Sequence, residues 1–97
     1  MPDSTTDPID VIHNVPASRF EATVDGLLCV ASYRRSGEQV DFHHTGVPRA
    51  LEGRGIAAAL VREALTWAAT QGLTVRPSCS YVRVYLQRHP QMRVQQG

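Results

Sequence analysis

The hydrophobic period of this chain changes once, at Pro48, and that change limits the fold more than any other feature. Before it, apolar and polar residues alternate, with Phe20, Ala22 and Val24 set against Arg19, Glu21 and Thr23. A period of two is what a strand with one buried face requires. Strands are therefore expected at Ile9–Asn14, Arg19–Val24, Leu27–Arg34 and Gln39–Thr45. Asp25-Gly26 and Ser36-Gly37 turn the chain between them, since glycine enters the positive-φ region of a tight turn without a Cβ penalty. The first half thus reads as an antiparallel meander. After Pro48, Ile56, Leu60, Ala64, Leu65 and Ala68 recur at helical spacing, with Arg62, Glu63, Thr66 and Thr70 on the other side. Gly72 ends that helix. Leu73-Thr74-Val75 is a short strand ended by Pro77, and Ser80 to about Arg88 reads as a second helix, capped by Ser78 or Ser80 and stopped before Pro90. The order implies an α/β (α+β) fold, a strand meander followed by helix-strand-helix. A right-handed helical crossover should return the last strand beside Gln39–Thr45.

The chain has 97 residues, 42% hydrophobic and 20% charged, which suits one domain with one core. That domain is expected over residues 9–92, with a disordered tail over 1–8 and a second tail over 93–97. The start is polar and acidic, without the basic head and apolar centre of a secretory signal, so a cytoplasmic location is expected. Apolar runs fall far short of the roughly 20 residues of a bilayer span. A formal charge of +1 gives no global attraction to nucleic acid or anionic membranes, and neither is expected as a partner. Anion recognition must then be local. All ten basic residues are arginines, which removes the lysine of a P-loop or a Schiff base. Cys29 and Cys79 are too few for a disulfide scaffold, and the histidines show no ligand spacing with carboxylates, so no metal is expected.

The local anion site is legible between the two halves. Gly53-Arg54-Gly55 falls where the first helix begins, and backbone N–H groups there lack intrahelical partners while the dipole adds about half a positive charge. A phosphate fits such a place. The two glycines let the backbone approach it, and Arg54 can add a charge-assisted hydrogen bond. The same residues also satisfy a relaxed dinucleotide pattern, G-x-G-x-x-A, with Arg76 available for an NADP 2′-phosphate. An antiparallel meander, however, does not supply the first strand of a doubly wound sheet.

Glu52-Gly53-Arg54-Gly55-Ile56-Ala57 resembles the acyl-CoA-binding motif Gln/Arg-x-x-Gly-x-Gly/Ala of the GNAT superfamily, with glutamate as a departure at the first position. His44-Thr45-Gly46-Val47-Pro48, Pro77-Ser78-Cys79-Ser80-Tyr81-Val82 and Arg88-His89-Pro90 extend the likeness. Together they resemble the short stand-alone N-acetyltransferase-like proteins, from roughly Ile9 to Gln91. The resemblance implies acetyl-CoA as cosubstrate and an amine acceptor, either a small molecule or a protein, in a monomer or weak homodimer. It implies that Val47 offers backbone groups to the pantetheine arm, that Gly53, Arg54, Gly55, Ile56 and Ala57 hold the pyrophosphate, and that Thr45 and Glu52 belong to the same cofactor site. It also implies that Gln39–Thr45 and Leu73–Val75 splay apart to admit the cofactor. Larger relatives wall the acceptor site with two helices after the first strand; none fits here, so an open acceptor side follows. A non-catalytic acyl-CoA-binding module would carry the same loop.

Three residues are catalytic candidates. Cys79 stands where a strand ends and a helix opens, a position that lowers a thiol pKa, and it could take the acetyl group or assist direct attack by the amine. His44 or His43 has the near-neutral pKa of a base for the incoming ammonium, strand alternation lets only one of them face the site, and the resemblance over His44-Thr45-Gly46-Val47-Pro48 selects His44. Tyr85, on the last helix, is placed like the tyrosine that in larger relatives often protonates the departing thiolate, and a tyrosine there equally suits the core. Cys29, Tyr81 and Trp67 read as packing residues, and His13 and His89 as surface or capping groups.

Overall fold

The computed structural model describes residues 9–92 and 94–97, so the tail expected over 1–8 lies outside the described residues. Six strands form one sheet in chain order: β1 (Ile12–Asn14), β2 (Arg19–Val24), β3 (Leu27–Ser36), β4 (Gln39–Gly46), β5 (Thr74–Arg76) and β6 (Gln95–Gln96). The first four are antiparallel neighbours, and β5 and β6 add in parallel. Helix α1 (Ile56–Thr70) joins β4 to β5, and α2 (Ser80–Arg88) precedes β6. This is the expected class, a meander followed by helix-strand-helix, with β5 beside β4. Asp25 and Gly26 sit at φ 52° and 77°, the two positive values of a type I′ hairpin turn.

The core lies on one face of the sheet. Register pairs Phe20 with Ala31, Ala22 with Cys29, Tyr33 with Phe42 and Val40 with Val75, and all eight are buried. Helix α1 covers them with Ile56, Leu60, Val61, Ala64, Leu65 and Ala68, and α2 adds Val82, Tyr85 and Leu86. Truncating a fully buried side chain such as Leu60 to alanine costs about 2–5 kcal/mol in such a setting. On the other face Glu21, Leu28, Val30 and Ser32 are at least partly exposed.

Three local expectations are corrected. Within the stretch read as a tail, residues 95–97 join the sheet: Gln95 and Gln96 form β6 and pair with Thr74 and Val75, and the Gly97 N–H donates to the Val75 carbonyl at 2.9 Å. Free backbone groups on the edge of β5 draw in a polar segment that no hydrophobic pattern marks. His13 is not a surface or capping group. Its ring stacks on Phe20 with centroids 4.0 Å apart, and Nε2 lies 2.7 Å from the Tyr33 hydroxyl. The residue at the N-cap of α2 is Cys79 instead of a serine. Trp67 packs edge-on against His13, as a packing residue should, and His89 caps α2, its Nδ1 donating to the Tyr85 carbonyl at 2.8 Å.

What positions the site is the divergence of β4 and β5. They pair only over Gln39–Asp41 and Thr74–Arg76. Pro77 cannot donate to a ladder, and the Cys79 N–H reaches the Phe42 carbonyl at 2.8 Å as the last link. From His43 to Gly46, β4 runs on beside β3 without a partner strand on that side.

Candidate functional site

The end of β4, the start of α1 and the start of α2 converge where the strands part. After Pro48, a single 3₁₀ turn over Arg49–Leu51 buries Leu51 and swings the chain toward the helix. Gly53 and Gly55 then take φ values of 83° and 78°. A Cβ at either would meet nothing within 4 Å, so the left-handed backbone is what calls for glycine here. Gly55 is the N-cap of α1 and offers no side-chain cap; the Ala59 N–H to Gly55 carbonyl bond, at 3.1 Å, is the first of the helix. The N–H groups of Ile56, Ala57 and Ala58 precede it without intrahelical partners, and the first turn holds no acidic residue. A helix start of this kind favours an anion by its dipole and its free donors.

A cavity of about 400 Å³ opens against these groups. Val47, Leu51 and Ile56 give it an apolar floor, and Gly53, Gly55, Ala57 and Ala58 form the amide rim. Thr45, Glu52 and Tyr81 complete the lining. An apolar pocket with a few convergent polar groups has the character of a small-molecule site.

Cys79 is not itself a lining residue; it is half-buried, with Sγ 3.5 Å from Oγ1 of Thr45, which is one. Burial pushes this thiol up, yet hydrogen bonding from the Thr45 hydroxyl and from the backbone of Val82, Tyr81 and Thr45 outweighs burial and holds it below the ordinary thiol value. The Tyr81 and Val82 groups act from the start of α2 without the geometry of a formal cap. Cys29 is fully buried, and burial alone raises its pKa, the condition of an inert filler.

The expected loop and arm residues Thr45, Val47, Glu52, Gly53, Gly55, Ile56 and Ala57 all line the cavity. Arg54 does not, because its Nη1 lies 2.7 Å from Asp25 Oδ2 at the tip of the β2–β3 hairpin. His44 is also displaced. The pairing shifts from Ser32↔His44 to Tyr33↔Phe42, so His43 is an extra, bulged residue and the alternation beyond it flips. Thr45, opposite buried Ala31, takes the cavity side. His44 goes to the open face, its Nε2 only 3.0 Å from where a Cβ on Gly46 would stand. Tyr85 is buried and stacks on His89 with centroids 4.0 Å apart, away from the cavity lining.

The tyrosine that reaches the cavity is Tyr81, 39% exposed, which pattern reading takes for packing. A signal was present. Val82, Tyr85 and Leu86 have the i, i+3, i+4 spacing of a buried stripe, which leaves Tyr81 off it, in the first turn beside Cys79. Among the described residues no three His, Cys, Asp or Glu side chains converge as a metal ion would need. No described helix is long and apolar enough to cross a membrane.

The family model described as GCN5-related N-acetyl-transferase matches residues 19–95, from β2 to the start of β6. The chain is 34% identical over 86 residues to Protein NATD1 of Gallus gallus and of Mus musculus, covering 86% of this chain and 78% of each relative. For Protein NATD1 of Homo sapiens the identity is again 34% over 86 residues, covering 76% of that protein. On the extent of these matches, the chain belongs to the GCN5-related N-acetyltransferase family.

Proposed function

We propose that this protein binds acetyl-CoA with its diphosphate on the main-chain amides at the start of α1 and transfers the acetyl group to an amine. The observation that supports this most is the uncapped helix start facing the cavity: two left-handed glycines, three N–H groups without intrahelical partners and no carboxylate in the first turn. The residues present suit the ligand. The amide rim matches a diphosphate, and the apolar floor of Val47, Leu51 and Ile56 matches a pantetheine arm leading toward Thr45. The free edge of β4 beyond His43 offers backbone groups to the arm's amides.

Acetyl-CoA supplies an activated thioester when bound. The chain's own contribution is a thiol at Cys79 that ionises more readily than an ordinary one and contacts Thr45, a residue of the cavity lining. As a thiolate, Cys79 can take the acetyl carbon, releasing the CoA thiolate, and then yield the acetyl to an incoming amine, which restores the free sulfur. Tyr81 stays protonated, since burial and then its neighbour Tyr85 raise its pKa against the opposing pull of Arg88, and it is a donor at the cavity wall. Only four residues, Val15–Ser18, join β1 to β2, so no helical wall stands there and the acceptor side is open.

Two measurements test the reading. A ligand at 100 times its Kd adds about 2.7 kcal/mol of stability, so acetyl-CoA and CoA should each raise the melting temperature while NAD and NADP leave it unchanged. Stabilisation by the nicotinamides alone would replace this reading. Intact mass after incubation with acetyl-CoA should show one acetyl adduct that disappears in Cys79→Ala. Binding without an adduct, together with acetyl transfer that survives Cys79→Ala, would assign direct transfer instead.

A further inference from the structure

The cofactor loop carries one cation, Arg54, and the structure places it where it does not serve the cavity. Gly53 and Gly55 on either side line the pocket, whereas the Arg54 guanidinium turns to the β2–β3 hairpin and donates to Asp25 at 2.7 Å. The partners are 29 positions apart in the chain, and Asp25 holds its carboxylate there from a left-handed turn position with φ 52°. A non-glycine residue at that φ is uncommon, with Asp and Asn the tolerated exceptions. Among the described residues one nitrogen of the guanidinium is engaged, and both side chains are solvent-exposed.

From this we infer that Asp25 is an affinity-setting residue: its carboxylate competes with an anionic ligand of the α1 amides for Arg54. The inference rests on the proposed diphosphate site. An anion on the amide rim would lie beside Arg54 in sequence, one residue from each lining glycine, so turning the guanidinium inward requires parting it from Asp25. Exposed ion pairs are weak and yield readily to a better anion. The hairpin therefore sets how tightly the loop holds its ligand, without touching the ligand itself.

The test is calorimetric titration of CoA into the wild type, Asp25→Asn, Arg54→Ala and the double variant. Asparagine keeps the left-handed turn and removes the charge, and a thermal melt of each variant confirms the fold. Asp25→Asn should tighten CoA binding about two- to five-fold at low salt, the range expected from losing one exposed pair. That gain should vanish in the Arg54→Ala background and shrink as ionic strength rises. Asp25→Asn binding no better than wild type would overturn the inference, as would an equal gain without Arg54, which would be a plain charge effect. A wild type that does not bind CoA removes the diphosphate reading itself, and this inference with it.

Discussion

Cys79 shows how the donors around a sulfur decide its reactivity. Burial alone would make the thiol inert, as it does Cys29; donors around the sulfur reverse the sign. Cys79 should therefore be alkylated by iodoacetamide at neutral pH well before Cys29. The midpoint of its rate against pH should fall below the ordinary 9.0, and Thr45→Val should raise that midpoint. A midpoint unmoved by Thr45→Val would remove Thr45 from the account. Glu52 acts in the opposite sense, as an acid lining a pocket proposed for a polyanion. Glu52→Gln should tighten CoA by about two- to five-fold at low ionic strength, read by calorimetry. At this scale the sequence revealed types better than directions. Cys79 was legible from its place at a strand-helix junction, and Gly53 and Gly55 from their spacing. His44 was not, because one bulged residue at His43 reverses every side chain after it, and nothing in the residue types announces a bulge.

Among the elements, α1 is the one the proposed chemistry depends on. Gly55 lies at φ 78° with open space where a Cβ would go, so Gly55→Ala costs local backbone strain and no clash with the rest of the protein. About 1–2 kcal/mol follows, and for a domain of this size each kcal/mol lowers the melting temperature by roughly 4–8 °C. A differential scanning calorimetry scan of the variant checks both direction and size; an unchanged melting temperature would contradict the assigned loop conformation. Helix α1 and strands β2, β3 and β4 were legible because each buries a regular stripe, at Phe20 and Ala22 or at Ile56, Leu60 and Ala64. β6 was hidden for the converse reason. Gln95 and Gln96 are exposed, and they are held by backbone pairing to β5 instead of by a buried face.

Taken whole, the molecule is a sheet with helices packed on one face, and its two ends respond to different variables. The cavity end should respond to ligand and salt. At the other end, His13 sits among Phe20, Tyr33 and Trp67, and burial lowers its pKa below 6.5. The folded protein then keeps His13 neutral at pH values where the unfolded chain has already bound a proton. Stability from this group is complete above the unfolded value and is lost as pH falls below 6.5 through the lowered folded value. Urea unfolding between pH 7 and 5 should show that decline, and His13→Gln should flatten it; an equal decline in the variant would place the acid sensitivity elsewhere.

Whether backbone amides at the start of α1 receive the diphosphate can be read atom by atom. Titration of isotope-labelled protein with CoA, followed by amide chemical shifts, should move Gly53 through Ala58 first and most. Large shifts confined to the open sheet face, or to the His13 cluster, with residues 53–58 unmoved, would contradict it.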